Sequence, residues 1–127
     1  MSLEAEKYAS LALRYLENAV EELSRGELEK ASEYIWGAAA EAIKCVLAAR
    51  KGIVVTKHAE LRKYARELAR ETGDPDIFRA FREAESLHSN FYEAVLEEED
   101  ILAHLESVRS LVSKLLKLAA GGSGENR

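Results

Sequence analysis

The chain of 127 residues carries 18 basic and 23 acidic side chains, a formal charge of −5, with one cysteine, one proline and no glutamine. Ala, Glu, Leu, Arg and Lys fill 75 of the 127 positions, above the roughly 50% that marks long or bundled helices. This excludes a β-sandwich, a disulfide scaffold and a disordered chain, and the length suits one domain with a core of its own.

The first helix is predicted over 2–24, with Tyr8, Ala12, Tyr15, Ala19 and Leu23 on one face and Gly26 as its stop. The second runs from about Glu27 to Lys51 and stops at Gly52. It is apolar on two faces, through Leu28, Ala31, Ile35, Ala38, Ala42 and Ala49 and through Trp36, Ala39, Ala40, Ile43 and Leu47, so it is expected at the centre. Gly37, Ala38 and Ala42 are small enough to let another helix approach closely, within the chain or across a dimer.

Ile53-Val54-Val55-Thr56 holds four of the fourteen β-branched residues, and being short and alone it reads as an extended connector. Thr56 is expected to cap a third helix over about 57–71, with Leu61, Tyr64, Ala65 and Leu68 inward and Gly73 at its end. Asp74-Pro75 supplies an N-cap and first position for a fourth helix reaching about Val95. Acidic residues 97–100 favour the start of a fifth helix over about 100–119, with Ile101, Leu105, Val108, Val112 and Leu115 inward. Residues 1–119 thus form an all-α, up-and-down bundle of about five helices, followed by a tail over 120–127.

No apolar run approaches the roughly 18 residues of a membrane span, and the N-terminus lacks a secretory pattern. A cytoplasmic protein without membrane association is expected. Cys45 is alone and reads as a small apolar filler. The fourth helix pairs Glu85 with His88, and Asp100 lies four residues before His104. A di-iron bundle needs two Glu-x-x-His pairs and two further glutamates, so neither metal nor cofactor is expected.

Charge is uneven along the chain. Residues 52–82 carry a net +2, whereas 83–106 carry −8 with no basic group. Arg62, Arg66 and Arg70 share a helical face and form a candidate stripe for the phosphates of a nucleotide or RNA, unless acidic neighbours pair with them. Trp36 and Tyr92 are further candidate contacts, Trp36 alternatively being core. On the fourth helix His88 follows Ile77, Phe81 and Ala84 in the apolar stripe. It is either a hydrogen-bonded core histidine or a proton-transfer group at a cavity. His58, in the first turn of its helix, and His104, on the acidic fifth helix, carry no comparable signal.

Residues 36–44 (Trp-Gly-Ala-Ala-Ala-Glu-Ala-Ile-Lys), with 87–93 (Leu-His-Ser-Asn-Phe-Tyr-Glu) and the acidic 98–100, resemble the archaeal PaREP-type family over roughly residues 5–118. That family is similar to the HEPN superfamily of all-α bundles. The resemblance implies a homodimer, and a ribonuclease or a noncatalytic relative of one, in some cases with a small nucleotidyltransferase as partner. The HEPN signature is an arginine followed after four to six residues by a histidine. Arg82 and His88, separated by five residues, meet it and become the implied catalytic pair, with Glu83 where a polar residue usually follows the arginine. Six helical steps set them about 120° apart, so convergence is expected only through a helix break or across a dimer axis.

Overall fold

A computed structural model describes the backbone of residues 1–93 and 96–122, and the side chains of all of these except 90–93 and 122. Helix α1 (Leu3–Ser24) begins where Ser2 Oγ accepts the Ala5 N–H at 3.1 Å, which makes Ser2 the cap rather than the first helical residue. Gly26, at φ 75°, turns the chain into α2 (Leu28–Lys51).

Helix α2 is the centre of the bundle. It packs extensively against α1 and against the fourth and fifth helices, and more lightly against the third. Both of its apolar faces are used: Ile35, Ala38, Ala39, Ala42, Ile43 and Leu47 have no accessible surface. The small residues of α2 are therefore spent within the chain. A Cβ on Gly37 would lie 3.0 Å from the Tyr15 ring of α1, so the bare backbone is what lets that ring seat. Cys45 is buried beneath the start of α1, where its thiol donates to the Ala5 carbonyl, and burial pushes its pKa up.

Gly52 turns the chain out of α2 in the left-handed region, residues 53–57 form a connector without regular structure, and no strand forms among the described residues. Val55 is buried and pins this connector, while Val54 faces out. Thr56 does not cap the third helix. Lys57 occupies the N-cap of α3 (His58–Thr72) and offers no side-chain bond, so the first N–H groups of that helix have no side-chain cap. Leu61, Ala65, Leu68 and Ala69 face the core, with Tyr64 half-buried.

Gly73 at φ 69° closes α3, and α4 (Pro75–Glu93) starts directly. Asp74 Oδ1 accepts the Asp76 N–H at 3.1 Å and Oδ2 accepts Lys114 Nζ at 2.7 Å, tying the start of α4 to the fifth helix. The Lys114 bond holds the Asp74 carboxyl below the usual carboxylate range. Helix α5 (Glu98–Lys117) begins two residues earlier than its periodicity suggests, because the Glu97 N–H donates to Asp100 Oδ2 at 3.0 Å and closes the first turn. Its buried stripe includes Leu111 as well as the expected five. A π-helical turn, Leu118–Gly122, completes the described chain; Ala119 is buried and Ala120 is exposed. Residues 123–127 of the expected tail, and Val95 at the expected end of the fourth helix, lie outside the described residues.

Along its inner face α4 buries Ile77, Phe81, Ala84 and Leu87 against α2. Full burial of side chains the size of Ile, Leu and Phe contributes on the order of 1.5–3 kcal/mol each, so this face holds α4 rigidly in place. The polar residues one step round the helix are thereby fixed too.

Candidate functional site

At the corner where α3 meets α4 above Trp36, charged and aromatic side chains from three helices converge. The carboxylate of Glu85 is their common partner, with its side chain only 10% exposed. Arg62 Nε of α3 lies 3.1 Å from both of its oxygens, and Arg82 Nε lies 3.2 Å from Oε1. His58 Nε2 is 3.5 Å from Oε2. Two guanidiniums and an imidazole thus share one carboxylate. Both arginines use Nε for this, and their side chains are 48% and 51% exposed, leaving the guanidinium forks accessible.

Trp36 lies beneath the histidines. The His58 ring stacks on it at 4.5 Å between centroids, and the His88 ring tilts against it at 5.4 Å. The two imidazoles meet edge to face at 5.3 Å. His88 Nδ1 donates to Glu33 Oε1 of α2 at 2.9 Å, which fixes the ring's orientation. Trp36 is 7% exposed and packs edge-on against Phe81, so it is core with one edge in a cavity wall.

Two adjoining cavities open at this corner, and His58 and His88 line both. The smaller, about 250 Å³, is walled by Arg62, Arg82, Glu85, Ser86 and Ser89 as well as the histidines. The larger, about 410 Å³, extends past the histidines to Tyr15, Tyr34 and Leu61, with Glu33, Glu41, Lys44 and Lys57 at its margin. Three of the side chains around Glu85 carry or can carry positive charge against its single negative one. The start of α3, which has no side-chain cap, adds its dipole beside His58.

Arg82 and His88 therefore share one solvent-open cavity on an unbroken α4 within a single chain. No helix break or second protomer is needed. At 100° per residue Glu85 lies about 60° from each of them, so it bridges the angular gap and draws the long arginine towards it. Glu83, by contrast, turns to α5: it accepts His104 Nδ1 at 2.9 Å and Arg79 Nη1 at 3.1 Å.

The arginine stripe of α3 divides. Arg62 joins the cleft; Arg66 lies over the Phe78 ring at 4.8 Å; Arg70 is exposed and does not line it. The Tyr92 side chain lies outside the described residues. Sequence reasoning missed His58 and the central role of Glu85. Glu85 did leave a signal, three residues from both Arg82 and His88, but nothing local announces that His58 stacks on a tryptophan of another helix.

No helix among the described residues is long and apolar enough to cross a membrane. A comparison with curated proteins finds no match. Among solved structures, the crystal structure of a protein from Sulfolobus solfataricus is similar, at 30% sequence identity and a TM-score of 0.74, covering 93% of this chain and 98% of that one. The family model for the archaeal PaREP1/PaREP8 family matches residues 7–112. As that model spans most of the sequence, the chain belongs to the archaeal PaREP1/PaREP8 family.

Proposed function

We propose that the protein is a noncatalytic, HEPN-like binding or regulatory module, acting as a homodimer in the cytoplasm, whose ligand is a nucleotide or RNA held at the α3–α4 corner. The observation that carries this is the surplus of cations over the single Glu85 carboxylate in a preformed, open cleft. Guanidiniums already fixed by a carboxylate lose little freedom when an anion arrives, and a planar fork matches phosphate geometry. Two of the acidic residues of 83–106 nearest this corner on α4 are already engaged. Glu85 is satisfied by its three partners, and Glu83 is turned to α5. Titration of the protein with adenosine monophosphate and with a short RNA, followed by calorimetry, tests the reading. Saturable binding without turnover supports it, and absence of binding to either contradicts it. Sedimentation tests the dimer, a single 14.1 kDa species being the contrary result.

A second reading is favoured by one observation, that Arg82 and His88 line the same cavity. As a metal-independent ribonuclease, His88 would take the proton of a 2′-hydroxyl as its oxygen attacks phosphorus. The 5′-oxygen leaves and takes up a proton, and a 2′,3′-cyclic phosphate forms. Arg82 would stabilise the charge on the pentacoordinate phosphorus. RNA cleavage in the presence of a chelator, lost in a folded His88→Ala variant, is the result this reading requires.

A further inference from the structure

Resting on the proposed binding role, we infer that the cleft is a phosphomonoester site: Arg62 and Arg82 clasp a terminal phosphate, Glu85 positions them, and the ester's planar body lies in the aromatic cavity beyond the two histidines. Arg62 is the new member of this pair. It comes from a different helix than Arg82, and the two meet because both Nε atoms reach the same carboxylate. Holding a guanidinium by Nε leaves both of its Nη groups to face a ligand, and two such forks offer more donors than the two nonbridging oxygens of a diester accept. A monoester brings three terminal oxygens and up to two charges. The start of α3, beside His58, turns its dipole towards that added charge.

The shape of the corner points the same way. The cation-lined compartment of about 250 Å³ adjoins a larger one of about 410 Å³ through the His58–His88 wall. In the larger one the Tyr15 and Tyr34 rings, 5.8 Å apart and inclined at 43°, give a planar group an aromatic surface. Lys44 and Glu41, paired at 3.3 Å, supply a donor and an acceptor at its rim. A ligand with an anionic end and a flat body fits both compartments. A polymer backbone running through would leave the larger one unfilled.

The test is calorimetric titration of the full chain with inorganic phosphate, phenyl phosphate and the diester methyl phenyl phosphate, and with a short RNA ending in hydroxyls. Phenyl phosphate is expected to bind at least about tenfold more tightly than either inorganic phosphate or the diester. Arg62→Ala and Arg82→Ala each weaken phenyl phosphate at least about tenfold, the scale of a lost charge-assisted hydrogen bond, whereas Arg70→Ala leaves it unchanged. Tyr34→Ala erases the advantage of phenyl phosphate over inorganic phosphate without altering the latter. Equal affinity for the diester, or unchanged phenyl phosphate binding in Arg62→Ala, overturns the inference. RNA that still binds in Arg62→Ala overturns it while leaving the binding module standing; binding of none of these probes removes both. Glu85 is a positioning residue, and its readout is separate: the Arg62 Nε–H proton is protected from solvent exchange in the wild type and unprotected in Glu85→Ala. Unchanged protection removes that role.

Discussion

On two of its faces helix α4 meets its neighbours through the same trio of side-chain types, with different outcomes. Towards α5, Glu83 holds His104 and Arg79, and Arg79 is further shared with Asp76 at 2.8 Å. Towards α3, Glu85 holds Arg62, Arg82 and His58. On the first face carboxylates match or outnumber the cations. The neighbouring cavity of about 310 Å³ is likewise balanced, by Asp76 and Glu106 against Arg79 and Lys114. On the second face cations exceed the carboxylate, and among the described residues both guanidiniums approach it through Nε. Arginine, glutamate and histidine thus make a fastening where charges cancel and a site where they do not. Residue identity alone does not distinguish the two.

Substitutions can break that contrast or sharpen it. The largest effect lies in the core that both faces stand on. Phe81→Ala empties a fully buried ring position beneath Trp36 and is expected to cost about 3–5 kcal/mol by chemical denaturation. It should also loosen the cleft. Asp74→Ala removes the N-cap of α4 and its tie to α5, with an expected loss of about 1–2 kcal/mol and no change in ligand binding. The same carboxyl has an acid signature. Its folded pKa lies below its unfolded one, so its contribution is complete above about pH 4 and is lost as pH falls through the lower, folded value. Lys114→Ala should therefore flatten the acid limb of stability against pH.

Glu83→Ala tests the fastened face directly. Loss of the bond to His104, a partly buried side chain, is expected to cost about 1 kcal/mol while phosphate binding persists. The smallest change in stability belongs to the cleft: Arg82→Ala should leave stability within about 0.5 kcal/mol, since the side chain is half exposed, yet abolish most binding. An Arg82→Ala variant that unfolds easily but binds normally would reverse the contrast.

Much of this architecture is written locally. Gly26, Gly52 and Gly73 mark three helix ends, and the Asp74-Pro75 start holds because it depends on neighbouring residues only. Thr56 misled for the same reason: a good capping residue is present, but α3 starts one residue later, after Lys57. The site is legible only in part. The place of His88 in an apolar stripe and its spacing from Arg82 pointed to α4. The helical wheel, which treats side chains as directions from an axis, separated the two residues by more than the cavity does. A long arginine ion-paired with an intervening glutamate spans that angle. His58 was invisible because its importance is a long-range fact, stacking on Trp36 across 22 positions of sequence.

The central claim is that the surplus-cation face of α4, and not the balanced one, takes a phosphate. Chemical-shift mapping of the full chain during titration with phenyl phosphate tests it most directly. The account predicts saturable shifts centred on His58, Arg62, Arg82 and His88, with Arg79 and His104 unmoved. Shifts centred on Arg79 and His104, or spread evenly over the surface cations, would contradict it.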